Sequence, residues 1–76
     1  MTFYIVVLDE DQSPDEWIYV AEATSIEAIQ ALRCLGGASA LRLPKAANPG
    51  REVGGIERPN CLAPDREETG TIYEIG

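Results

Sequence analysis

Asp9, Asp11, Ser13 and Asp15 stand at alternate positions, the spacing with which the oxygen ligands of a calcium loop begin. A complete loop also needs a turn glycine and a bidentate Glu, and Pro14 and Val20 occupy those places. The stretch therefore reads as a solvated, charged loop rather than a metal site. Neighbouring carboxylates such as Asp15 and Glu16 can serve as an acid and base pair where their surroundings hold the two pKa values apart. An exposed turn supplies no such asymmetry. Nucleophilic catalysis lacks its base, because the chain contains no His to activate a Ser or Cys, and no Gly-x-Ser-x-Gly element is present. Gly36-Gly37 and Gly54-Gly55 lack the Lys and the spacing of a phosphate-cradling loop, and two distant thiols without His do not make a zinc site. The residues thus point to a non-enzymatic protein with no metal and no cofactor.

What the acidic residues offer instead is a field. Residues 1–32 hold seven carboxylates (Asp9, Glu10, Asp11, Asp15, Glu16, Glu22 and Glu27) and no Lys or Arg, while residues 33–76 balance six acids against six bases. The net charge of −7 therefore belongs to one half of the chain. A one-signed surface on a small body steers a basic partner toward it. It also disfavours nucleic acid as a direct ligand, since phosphate binding requires a basic footprint.

Seventy-six residues make one domain, 1–76, with an expected radius of gyration of about 11 Å. So short a chain has little room for a deep substrate pocket and is better suited to presenting a surface. The 45% apolar content, with three Tyr, one Trp and one Phe, implies a folded core despite the charge. No apolar run approaches the length of a membrane span, and no secretory signal pattern opens the chain. A cytoplasmic location is expected. Cys34 and Cys61 permit one disulfide, but without a sign of secretion they are expected to be a small buried thiol and an incidental loop thiol.

The elements that must position these residues follow from pattern. Residues 2–8 are a run of β-formers, residues 9–15 a polar loop, and residues 16–22 a second run, which predicts an antiparallel hairpin with Asp9, Glu10, Asp11, Asp15 and Glu16 at its tip. Thr24 precedes Glu27 at capping-box spacing, and apolar residues at helical intervals predict a helix over 25–35, ended by Gly36-Gly37. Short strands are expected near 40–43, irregularly over 51–58, and over 71–75, separated by Pro- and Gly-marked turns. The fold class is α+β: a small antiparallel sheet starting with a β-hairpin, one short helix on one face, and a loop-rich C-terminal half.

The first strand is apolar on both faces, with Phe3, Ile5 and Val7 pointing one way and Tyr4, Val6 and Leu8 the other. One helix covers one face. The other must be covered by the C-terminal segment, by a second copy, or by a partner, and the C-terminal segment is the expected cover. Trp17 and Tyr19 alternate on one face of the second strand, with Tyr4 and Tyr73 as neighbours. They are core residues first, and anchors of an interface if one edge of the cluster is exposed beside the acidic tip.

The segment Trp17-Ile-Tyr-Val-Ala-Glu-Ala-Thr-Ser-Ile-Glu-Ala-Ile29, a strand followed by a capped helix, resembles the opening of many tiny phage and mobile-element proteins. In size, layout and acidity the chain is similar to anti-CRISPR proteins, small inhibitors of CRISPR effector complexes. That resemblance implies a phage-encoded inhibitor acting in the host cell, whose acidic side chains occupy a Lys/Arg groove that otherwise holds nucleic-acid phosphates. Asp9, Glu10, Asp11, Asp15, Glu16, Trp17 and Tyr19 are the expected partner-binding residues, and target DNA binding is the step expected to be blocked. The alternative is a small accessory subunit that uses an apolar sheet face to form a homodimer or join a larger assembly.

Overall fold

The computed structural model describes residues 2–10, 13–37, 40–45 and 50–76. Its centre is β1 (Phe3–Leu8), where Ile5, Val6, Val7 and Leu8 are 0%, 0%, 6% and 7% exposed. Four successive buried residues on a strand of period two place apolar side chains on both faces of the sheet, so both faces must be covered. β1 pairs antiparallel on one side with β6 (Glu67–Ile75) and on the other with β3 (Ala21–Ala23), while β5 (Arg51–Pro59) adds to the far edge of β6. The four-stranded order is β3-β1-β6-β5. A separate two-stranded sheet joins β2 (Glu16–Tyr19) to β4 (Leu41–Pro44).

The expected hairpin between residues 2–8 and 16–22 is therefore corrected. The second run splits at Val20: its first half leaves the main sheet, and only Ala21, Glu22 and Ala23 pair with Val6, Ile5 and Tyr4. Val20 still donates its backbone N–H to the Val6 carbonyl at 2.9 Å, which anchors the crossing point. The physical reason lies in β1. Laying β2 across its second face, rather than beside it, buries Ile5 and Val7 against Tyr19, with Trp17 and Leu43 packed alongside. The sheet face for which a C-terminal cover was expected is thus covered by β2 and β4, one strand from each half of the chain.

The opposite face carries Val6, Leu8, Ile56 and Ile72 and is covered by Ile29 and Leu35. Ile29 belongs to the helix α1 (Ile26–Gln30), which is five residues long and not the eleven of the 25–35 expectation. Its N-cap is Ser25, one position after the predicted Thr24, with the Ser25 hydroxyl accepting from the Ala28 N–H at 3.1 Å. The end comes early because tertiary bonds take over. Arg58 donates from Nε to the Leu32 carbonyl at 2.8 Å and from Nη2 to the Gln30 carbonyl at 2.9 Å, placing a cation on orphan acceptors at the helix C-terminus. Leu35 then leaves helical geometry to donate to the Pro59 carbonyl at 2.9 Å. Gly36 and Gly37 do adopt the left-handed conformation, with φ of 75° and 79°, but they turn the chain beyond this bridge instead of capping the helix.

β6 begins four residues before the predicted 71–75, since it pairs along its whole length with β5 and β1. Its Gly70 is a packing requirement: a Cβ there would lie 2.8 Å from Val6 Cγ1 and 3.2 Å from the Val7 carbonyl. β5 carries a register shift between Glu52 and Gly54, the irregularity expected around Gly54-Gly55. The turn from β5 to β6 is held by Asn60, whose Oδ1 accepts from the Leu62 and Ala63 N–H groups at 2.8 and 2.9 Å.

Cys34 and Cys61 are bonded to each other, which corrects the reading of two separate thiols. Leu35 and Asn60 form a bridge beside them, so the backbone pairing brings the two cysteines within reach. Their separation of 27 residues gives a loop whose closure is worth about 3 to 4 kcal/mol on chain-entropy grounds. For a domain of this size that is a large share of the total. The Cys34→Ser, Cys61→Ser double variant should accordingly unfold at lower denaturant by about that free energy, measured by chemical denaturation. A change below about 1 kcal/mol would show that the unfolded chain gains nothing from losing the constraint.

Candidate functional site

Because β1 and β6 run antiparallel with Val7 opposite Thr71 and Ile5 opposite Tyr73, their odd-numbered residues share one face. Continuing β1 by one residue brings Asp9 beside Thr69, and the Asp9 N–H donates to the Thr69 carbonyl at 3.0 Å. Asp9 also accepts from the Thr71 hydroxyl at 2.8 Å, which fixes its carboxylate at the end of this face. Asp9 thereby extends the central sheet by one residue.

Two concavities meet at Asp9. One is a shallow groove lined by Asp9, Glu10, Glu67 and Thr69. The other lies between the main sheet and the start of β2, where Asp9 and Glu16 both line its wall. Asp15 is exposed next to Glu16, and its carbonyl accepts from the Lys45 N–H at 3.0 Å. Three of the five predicted acids, Asp9, Glu10 and Glu16, thus line these concavities, Asp15 is exposed without lining either, and Asp11 lies outside the described residues. Pairing with bases is partial. Glu16 accepts from Arg42 at 3.0 Å, while Arg66 lies 3.9 Å from Glu10 and 3.2 Å from the buried Glu68. Exposed pairs of this kind contribute up to about 1 kcal/mol each, so a partner can replace them.

The aromatic residues divide. Trp17 packs against Tyr73 with ring centroids 4.8 Å apart and planes at 45°, and Lys45 Nζ stands 5.0 Å from the Trp17 ring. Tyr19 is 7% exposed and belongs to the core, its hydroxyl donating to Glu22 at 3.3 Å. Tyr4 lies on the opposite face with the helix-side cluster, away from Trp17. Trp17 therefore stands at the border of the acidic region, whereas Tyr19 holds β2 down.

Sequence reasoning missed Glu67, Thr71 and Lys45. Glu67 and Thr71 belong to β6, and only the register of β6 against β1 brings them to Asp9. The alternating Glu-Glu-Thr-Gly-Thr-Ile-Tyr pattern is the signal for the longer strand, and Gly70 hid it by reading as a turn residue. Lys45 is placed by the pairing of Glu16 with Pro44, for which the sequence carries no local mark.

Comparison of this chain with family models, with curated proteins and with solved structures finds no match. Among the described residues no helix is long and apolar enough to cross a membrane.

Burial raises the Tyr19 phenol above its usual 10.0, aided by the charge of Glu22 and the hydrogen bond to it. Tyr73 is raised from the same value by burial first, then by the charges of Glu52 and Asp9. Folding therefore favours the neutral phenols. Below pH 10.0 both states are protonated and the contribution is intact; above it the unfolded chain loses protons first, and the stabilisation is lost as pH rises through the raised values. The melting temperature should thus fall once pH passes 10.0, and a Tyr19→Phe, Tyr73→Phe variant should show a shallower fall across the same range. An equal fall in both proteins would place the alkaline sensitivity elsewhere.

Proposed function

We propose that this protein is a non-enzymatic binding protein that engages a basic, nucleic-acid-binding protein surface and so blocks access of the nucleic acid. The observation that carries the reading is the segregation of seven carboxylates and no base into residues 1–32, three of which, Asp9, Glu10 and Glu16, line the concavities at Asp9 together with Glu67. Such a field attracts Lys/Arg grooves and repels phosphate backbones. Resemblance in size, layout and acidity to anti-CRISPR proteins makes a CRISPR effector complex the first machine to test. A binding role also accords with the side chains at hand. The sequence contains no His, and both cysteines are consumed in the Cys34–Cys61 bridge, so neither is a nucleophile in this form.

The alternative, an accessory subunit joining copies through an apolar sheet face, has less to stand on. Tyr19, Trp17 and Leu43 cover one face and Ile29 and Leu35 the other. Among the described residues the large hydrophobics that remain exposed are Leu41 and Leu62, at 50% and 78%. Single exposed residues do not make an oligomer face.

The test uses charges that do not line the cavity beneath Trp17. A Glu10→Lys, Asp15→Lys, Glu67→Lys variant should keep the parent's melting temperature and bind a guide-loaded CRISPR effector complex with at least tenfold slower association at low salt. Steering charges act on the encounter, and the difference should shrink as salt shortens the Debye length to about 3 Å near 1 M. Target-DNA binding by the effector is the readout. Equal inhibition by parent and variant at low salt, or none by the parent, would remove this reading.

A further inference from the structure

β5 sorts its charges by face, and the register shift within it does the sorting. Arg51 stands opposite Glu74 and Arg58 opposite Glu68, while Glu52 stands opposite Tyr73 and Glu57 opposite Thr69. The two bases are seven positions apart and the two acids five, odd intervals that would put the members of each pair on opposite faces of a regular strand. The extra residue in the shift between Glu52 and Gly54 reverses this. Both bases therefore lie on the helix side, where β6 sets a Glu against each. Both acids lie on the side of Trp17 and Tyr73, and neither forms an ion pair among the described residues.

β5 is also an open edge of the four-stranded sheet. Asp9 donates to the Thr69 carbonyl, so the odd-numbered residues of β6 turn their backbone groups toward β1. Their partners on β5, namely Glu52, Gly55 and Glu57, then have backbone groups that face away from β6. Pro59, opposite Glu67, shows the same direction, since its carbonyl accepts from the Leu35 N–H on the outer side. Leu35 covers the edge there, whereas the Gly55 and Glu57 N–H groups have no partner among the described residues. An edge with free donors and acceptors is a template for a further strand. We propose that it receives an extended basic segment of the partner, which adds to β5 with one Lys or Arg opposite Glu57 and a second opposite Glu52. Because two residues of β5 oppose one at the shift, the five positions from Glu52 to Glu57 match four on a regular strand, and the two bases stand at i and i+4. A second copy of β5 is a poor occupant. The register that matches all three outward residues sets Gly55 against Gly55 and Glu57 against Glu52 at both ends, and like charges directly opposite are destabilising.

The inference rests on the reading that the partner is basic, but its test needs no effector complex. The ¹⁵N-labelled protein is titrated with acetyl-Lys-Val-Thr-Val-Lys-amide, which carries the two bases at the required spacing, and with its Glu-for-Lys counterpart. The Lys peptide is expected to give saturable shifts of the Gly55 and Glu57 amides and to slow hydrogen exchange at both, and the Glu peptide to bind at least tenfold more weakly. Gly55→Pro removes one outward N–H, and Gly55 has room for the change, with no positive φ and a Cβ position 3.6 Å from the Gly70 carbonyl. It should weaken binding of the Lys peptide at least tenfold, and a Glu52→Gln, Glu57→Gln variant should weaken it several-fold. If Gly55→Pro lowers the melting temperature, the Gln variant and the exchange protection decide. Equal affinity for the two peptides, unchanged affinity in the folded variants, or no protection at Gly55 and Glu57 overturns the proposal. So does a dimer in sedimentation of the free protein with those amides already protected, which would assign the edge to a second copy. Capture of the Lys peptide by a protein that leaves the effector complex untouched would fault the choice of partner alone, and inhibition of the effector without capture of the peptide would fault this inference alone.

Discussion

The structure depends on one constraint: β1 is buried on both faces, with Ile5, Val6, Val7 and Leu8 all at 7% exposure or less. A chain of 76 residues has few ways to cover two faces of one sheet. It covers one with a five-residue helix and the loop that carries Leu35, and the other with two four-residue strands. Fully burying a side chain of this size contributes about 1.5 to 3 kcal/mol, so leaving either face wet would outweigh any surface ion pair in the molecule. This explains why residues 16–23 split into β2 and β3. An intact hairpin would satisfy backbone pairing on one edge and leave Ile5 and Val7 uncovered.

The same economy of parts explains the charge distribution. Arg58 serves the helix end, Arg51 lies 3.5 Å from Glu74, Arg42 holds Glu16, and Arg66 sits between Glu68 and Glu10. Each of these bases has a local task. Glu68, at 3% exposure, needs its Arg66 partner because a buried carboxylate without one is strongly disfavoured. With each of these bases tied to a particular acid or carbonyl, the net charge of −7 sets the field felt at a distance.

Period and composition were sufficient to recognise β1 as a two-faced strand, the irregular β5, and a helix near residue 26. They do not carry information about what happens between distant segments. The helix was expected to run to residue 35 because its apolar spacing continues, but Leu35 and Arg58 give the chain better-bonded alternatives beyond Gln30. The disulfide was missed for a related reason: Cys34 and Cys61 come together only once Leu35 pairs with Asn60. For the site, the acids and Trp17 were legible from residue type, whereas Thr71, Lys45 and Glu67 were set by register. A one-residue shift between β1 and β6 would exchange every odd and even residue and move Thr71 and Tyr73 to the helix side.

Placement of the bridge also decides what its reduction does to the molecule. Disulfides persist in oxidising compartments, and cytosolic thiols are kept reduced, so the inhibitor proposed above, if it acts in the cytoplasm, has to function with Cys34 and Cys61 as thiols. The bridge adjoins Leu35 and the helix-side cluster, whereas the Asp9 region and the cavity under Trp17 are built on the other face from β1, β2 and β6. Reduction therefore removes a constraint on the unfolded chain without removing a contact from the site. Among the described residues, the elements that hold Trp17 in place are Tyr73, Lys45 and the pairing with Leu43, none of which involves the bridge. Site geometry should thus follow the integrity of the second sheet face, and the redox state should act on it only through the fraction of chains that are folded.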